Sequence, residues 1–159
     1  EYICNMPINL DSPWQKKHWR TIQMHYQKAP YFTKIEDILY NKIYNYNWEK
    51  LGDLNISFIE LIKEYLQISC DTHKSSELDI KSKGNQKLVD ICKHLGANKF
   101  IVKPGTENYH PKEFFNERGI DLVEFKPIAN TYDQQYAGFI PDLSVLDYVM
   151  NYGPGQPNW

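Results

Sequence analysis

A chain of 159 residues is long enough to bury a real core without staples, and its formal net charge of -2 gives no basic excess that would argue for nucleic acid as a partner. Its three cysteines, Cys4, Cys70 and Cys92, are odd in number and widely spaced. That excludes a disulfide framework and a CxxC metal site, and it points to a reducing, cytoplasmic setting with Cys70 and Cys92 as small core residues.

In chain order, residues 2–8 read as a short strand. The chain begins at Glu1 without Met, inside that strand, which suggests a fragment or the C-terminal portion of a longer protein. Ser12-Pro13-Trp14-Gln15 then predicts a helix start, with Ser12 as N-cap and Pro13 in the first turn. Trp14, His18, Ile22 and Tyr26 fall four apart on one stripe, and Ala29-Pro30 ends the helix. Thr33-Lys34-Ile35-Glu36 reads as a second capping box, with Ile35, Ile38, Leu39 and Ile43 following at helical spacing to about residue 47. A third helix starts near Asp53, with Leu54, Phe58, Ile62 and Tyr65 on one face.

The pattern then changes. Residues 68–74 predict a strand leaving into Ser75-Ser76-Glu77, and 81–85 a polar loop. Leu88, Val89, Cys92 and Leu95 make a helix stopped by Gly96. Residues 99–102 read as a strand, 111–118 as a helix stopped by Gly119, and 121–125 as a strand. Residues 127–141 look irregular, and Ser144 starts a last helix to about Asn151. The expected fold is thus a single α/β domain over residues 1–159: three N-terminal helices, then β-α-β-α-β in an open, mostly parallel, Rossmann-like sheet.

In such a sheet ligands sit beyond the carboxyl ends of the strands, so the exits after 68–74 and 99–102 are the places to look. Both glycine-rich phosphate fingerprints are missing. A phosphate could instead be held by Ser75, Ser76, Lys81 and Lys83, although Ser75 and Ser76 equally suit a turn or a cap. Past the second exit, Pro104-Gly105 forces a tight turn where backbone approaches a ligand. There Lys103 supplies a cation, Gly105 the close approach, Glu107 a general base and Tyr109 a stacking face or hydroxyl; a plain solvent loop is the alternative. Ser76, Glu77 and Glu107 are the candidate catalytic groups. Asp133, Gln134, Gln135 and Tyr136 form a further polar group without a fixed place. His18 and His25, seven apart, make no metal set, and the residues name no cofactor and no oligomeric state. No run reaches the roughly 20 apolar residues of a membrane span, and no signal peptide is visible.

Short segments through nearly the whole chain resemble the WbqC-like protein family. They include Trp14-Gln15-Lys16-Lys17-His18-Trp19, Lys28-Ala29-Pro30-Tyr31-Phe32, Leu51-Gly52-Asp53-Leu54-Asn55 and Ser75-Ser76-Glu77-Leu78. Pro104-Gly105 with Tyr109, Gly138-Phe139-Ile140-Pro141, Leu143-Ser144-Val145-Leu146-Asp147 and Asn151-Tyr152-Gly153-Pro154 continue the series. Family members usually carry an N-terminal His-x-Pro-x-Tyr-x-Pro-like segment that is not found here, and a small Ser-Gly pair where this chain has Val102-Lys103. The resemblance implies a role in bacterial surface-polysaccharide (O-antigen) biosynthesis. The expected reaction is transfer of an acyl or aminoacyl group onto a nucleotide-linked amino sugar, so the expected partner is a small molecule or nucleotide sugar. The alternative is a non-catalytic binding or scaffold protein of the same pathway, using an aromatic surface around Trp14 and Trp19.

Overall fold

The computed structural model describes residues 3–106, 108–126 and 131–155. The chain forms two compact units, one of Glu1–Cys70 with Ala129–Trp159 and one of Asp71–Ile128.

The first unit is helical. Helix α1 is Trp14–Tyr26, α2 is Phe32–Leu39, α3 is Leu51–Tyr65 and α6 is Val145–Asn151. The last turn of α2 continues as a π-helical segment, Tyr40–Tyr44, closed by the Asn45 amide donating to the Tyr40 carbonyl at 2.8 Å. Ile35, Leu39 and Ile43, spaced by four, are fully buried in its core. Trp19 stacks near Phe32 with ring centroids 6.3 Å apart and tilts against Tyr40 and Tyr44 at 5.2 Å each. The buried Trp48 indole donates to the Ile43 carbonyl at 2.7 Å, so its polar edge is satisfied inside the core.

The N-terminal strand expected over 2–8 is not formed. Ile3–Asn5 is a 3-10 turn, followed by an isolated antiparallel bridge between Pro7 and Lys50. Pro7 has no N–H to extend a ladder, which limits this pairing to the flanking bonds: Ile8 N donates to Glu49 O and Leu51 N to Met6 O, both at 2.9 Å. Two caps also differ from expectation. Pro13 and not Ser12 occupies the N-cap position of α1, and Tyr31 precedes α2 where Thr33 was expected; neither makes a side-chain cap bond.

The second unit is a single α-β-α-β run: α4, Gly84–His94; β1, Lys99–Val102; α5, Lys112–Asn116; and β2, Asp121–Glu124. β1 and β2 pair in parallel, with Lys99 opposite Asp121 and Val102 opposite Glu124. Val89, Phe115, Ile120 and Leu122 fill its core, with Phe100 stacked on Phe115 at 5.5 Å. The fold is therefore mixed α/β, with six helices and a two-stranded parallel sheet among the described residues. The fuller β-α-β-α-β sheet is corrected by residues 68–74, which carry no strand. Only Ile68 and Cys70 are apolar in that stretch and both are exposed, so it has no face to bury against a neighbour. Cys70 is thus an exposed thiol and not the core residue expected, whereas Cys92 is buried and its burial pushes the thiol pKa up.

Candidate functional site

The sequence-predicted residues of the second unit fall into two separate turns. After β1, Thr106 Oγ1 donates to the Lys103 carbonyl at 2.7 Å, and the amides of Tyr109 and His110 both donate to the Thr106 carbonyl at 2.9 Å. Gly105 has φ of +81°, which a side chain rarely adopts, and that explains the glycine at this turn. The first turn of α4 is tied to the same loop: Asn85 Nδ2 donates to the Tyr109 carbonyl at 2.9 Å, and Asn85 Oδ1 lies 2.8 Å from His110 Nδ1. Lys103, Gly105 and Tyr109 are thereby brought together, with the Tyr109 ring 76% exposed.

Ser75, Ser76 and Glu77 lie on an exposed turn, in which the Glu77 amide donates to the Lys74 carbonyl at 2.9 Å and the two side chains pair at 3.4 Å. With 68–74 not a strand, this turn is no strand exit. Lys81 pairs with Asp79, and Lys83 stands exposed at the N-cap position of α4. Glu107 lies outside the described residues. Further along α4, Ser82 Oγ and Gln86 Nε2 both donate to Asp90, and these bonds hold its carboxyl below the usual aspartate range.

The first unit contains a more enclosed site, centred on a buried carboxylate. Asp147 is 5% exposed in the first turn of α6. Its Oδ2 accepts from the Tyr132 hydroxyl at 2.7 Å and from Gln134 Nε2 at 3.0 Å, while Oδ1 accepts from Asn151 Nδ2 at 3.1 Å. Among the described residues no Lys or Arg pairs with it. A buried charge is costly unless donors replace its lost hydration, so these bonds are what allow the carboxylate to sit there. Ser144 caps the same helix by accepting from the Leu146 amide at 3.3 Å. Burial, followed by the nearby Asp147 charge, pushes the Tyr26 hydroxyl up to about 12; burial, followed by its bond to Asp147, does the same to Tyr132.

The segment leading to this carboxylate is held in shape by Gln134. Its Nε2 donates to the Ile140 carbonyl at 3.0 Å and its Oε1 accepts from the Ile140 amide at 2.8 Å. The Tyr132 ring meets Phe139 and Tyr148 edge-on at 5.4 and 5.3 Å. Two cavities share a wall of Gln134, Tyr136, Ala137 and Gly138. A shallow one of about 480 Å3 lies over Tyr132, Asp133 and Phe139. A deeper one of about 190 Å3 reaches His25, Tyr26 and Asp147. Polar groups, aromatic faces and a charge thus converge on one concave place, the arrangement expected of a small-molecule site.

Asp133, Gln134, Gln135 and Tyr136 now have a location, in the walls of these cavities. Asp147 and Tyr26 were missed as site residues. The available signal was the run Val145-Leu146-Asp147-Tyr148-Val149-Met150, a single acid inside an apolar stretch. The exposed aromatic surface expected around Trp14 and Trp19 is not there: Trp19 is in the core and Trp14 is half-buried against it. Among the described residues no cluster of His, Cys, Asp or Glu is arranged to hold a metal ion, and no helix is long and apolar enough to cross a membrane.

The profile of the WbqC-like protein family matches residues 1–158. Because that match starts at residue 1, the expected absence of the family's N-terminal segment is not borne out. The chain is 27% identical over 147 residues to Rv1507c of Mycobacterium tuberculosis, described as an uncharacterized protein. That alignment covers 92% of this chain but 64% of the relative, so the chain spans less than two thirds of the length of the curated protein it matches. No solved structure matches the chain.

Proposed function

We propose that this chain, which belongs to the WbqC-like protein family, serves in the biosynthesis of bacterial surface polysaccharide and binds a sugar-containing ligand in the Asp147 pocket. The reaction class we assign is transfer of an acyl or aminoacyl group to a nucleotide-linked amino sugar. The observation that carries the reading is the buried Asp147 carboxylate, oriented by Tyr132, Gln134 and Asn151 at the end of a cavity walled by Tyr26 and Tyr136. Sugar hydroxyls need fixed acceptors, and sugar ring faces need flat apolar partners; this pocket offers both.

A thermal-shift panel of monosaccharides and nucleotide sugars tests it, since a ligand that binds only the folded state raises its melting temperature. We expect at least one sugar to shift the wild type and Tyr136→Ala to reduce that shift, because the Tyr136 ring is 62% exposed and its removal spares the core. A panel without any shift removes the sugar reading and leaves the scaffold alternative. The roles proposed for Ser76, Glu77 and Glu107 in catalysis, and for Ser75, Lys81, Lys83, Lys103, Gly105 and Tyr109 in binding, make a second and independent part of the proposal. They are tested separately by Ser76→Ala, Glu107→Gln and Lys103→Ala in a transfer assay, in which wild-type rates would remove them.

A further inference from the structure

Building on the sugar-pocket reading, we propose that the deeper cavity is a site for a primary ammonium group, held beside the Asp147 carboxylate. Four observations converge on it. First, the charge of its wall has one sign: Asp147 lines it, no Lys or Arg does, and His25 is the one basic side chain there among the described residues. A phosphate placed in this cavity would face a buried carboxylate without a compensating cation. Second, Tyr132 and Gln134 on Oδ2 and Asn151 on Oδ1 hold the Asp147 carboxylate in a fixed orientation, with the Tyr26 hydroxyl also interacting with it, so an oriented acceptor lines the cavity.

Third, Gln135 Oε1 is shielded from solvent and has no hydrogen-bond partner, although Gln135 is part of the same wall. An unpaired buried acceptor is destabilising, and an ammonium, which has donors only, relieves it. Fourth, two aromatic residues, Tyr26 and Tyr136, line the cavity, and aromatic rings attract cations. The size agrees. A volume of about 190 Å3 is below the roughly 300–1,000 Å3 of pockets that enclose drug-sized ligands, so it suits the amine-bearing end of a ligand and not an entire nucleotide sugar.

Two sources could present this ammonium: an amino sugar, or the amino acid of an aminoacyl group. Calorimetric titration at neutral pH with glucosamine, glucose, N-acetylglucosamine and glycinamide separates them. The expected result is glucosamine binding at least about tenfold more tightly than glucose and N-acetylglucosamine, with Asp147→Asn removing that preference. Gln135→Leu, a wall substitution away from the buried carboxylate, should narrow the preference several-fold and guards against misfolding in the Asp147 variant. Glycinamide binding as tightly as glucosamine assigns the ammonium to an aminoacyl group; glucosamine alone binding assigns it to the sugar. Equal affinity for the three sugars overturns the ammonium site while the sugar pocket stands. Glycinamide binding without any sugar keeps the ammonium site and overturns the sugar pocket, and silence from all four ligands overturns both.

Discussion

Asp147→Ala takes the acceptor away from Tyr132, Gln134 and Asn151 and the charge away from the Tyr26 hydroxyl, and the structure tells how much each of the first three loses. Gln134 Nε2 retains the Ile140 carbonyl at 3.0 Å, and Asn151 Nδ2 retains the carbonyl of residue 147 at 2.9 Å. The Tyr132 hydroxyl loses the only acceptor it donates to, at 2.7 Å. One orphaned donor costs about 1–3 kcal/mol, and the two weakened charge-assisted bonds add roughly 1 kcal/mol each. Relief of the carboxylate's own desolvation offsets part of this, leaving a loss of about 2–4 kcal/mol. For a chain of this length that lowers the melting temperature by roughly 4–16 °C. Asp147→Asn should cost only about 1 kcal/mol. Its oxygen can keep Tyr132 and Gln134, and its new amide can donate to Asn151 Oδ1, which is buried without a partner. Urea unfolding with a common m-value for the three proteins measures both losses. An alanine variant within about 0.5 kcal/mol of wild type, the range of ordinary surface substitutions, would refute the argument. So would an asparagine variant as damaged as the alanine one.

Alkaline stability should follow Tyr26 and Tyr132. Their folded-state values near 12 exceed that of free tyrosine, so the stability they contribute is intact below about pH 10 and is lost as pH rises toward 12. Ultraviolet titration of phenolate in wild type and Tyr132→Phe checks this; two normally titrating tyrosines would contradict it. Asp90 behaves in the opposite sense: its depressed folded value gives stability that is present above the usual aspartate range and lost as pH falls through its own midpoint. Ser82→Ala should raise that midpoint in an NMR titration, and an unmoved midpoint would show that the Ser82 bond is not its cause. Gly153→Ala should destabilise by about 2 kcal/mol or more, because a Cβ there runs into the Tyr31 ring and φ is +98°. Gly96→Ala, with φ of +68° and open space around the Cβ, should cost about 1 kcal/mol. Equal losses in denaturant melts would argue against the Tyr31 contact.

The helices were legible because their apolar spacing is long and regular. Ile35, Leu39 and Ile43 announce their helix, and Leu54 with Phe58 and Ile62 theirs. The βα run from residue 84 to 124 was legible too, since Gly96 and Gly119, with φ of +68° and +78°, end its helical turns. What failed were short extended segments. Residues 2–8 and 68–74 look like strands locally, but strand formation depends on a partner and a face to bury, and neither is written in seven residues. The pocket was hidden for a related reason. Tyr26, Gln134 and Asp147 come from widely separated positions, and only tertiary packing makes them neighbours. The turn at 103–109 attracted notice because Pro-Gly is a strong local signal, whereas a lone acid in an apolar run is a quiet one.

The double bond of Gln134 to Ile140 has a thermodynamic corollary. A side-chain amide that addresses both backbone groups of one residue does what an adjacent strand would do, and it closes the 134–140 segment into a ring before any ligand arrives. A ligand entering beside it finds the wall already ordered, so little of its binding energy is consumed in fixing rotamers or loop dihedrals. Association should therefore resemble docking onto a rigid mould: fast, with a modest heat-capacity change. Opening the ring with Gln134→Ala would convert that behaviour into coupled folding and binding, with a larger entropic penalty for the same final contacts.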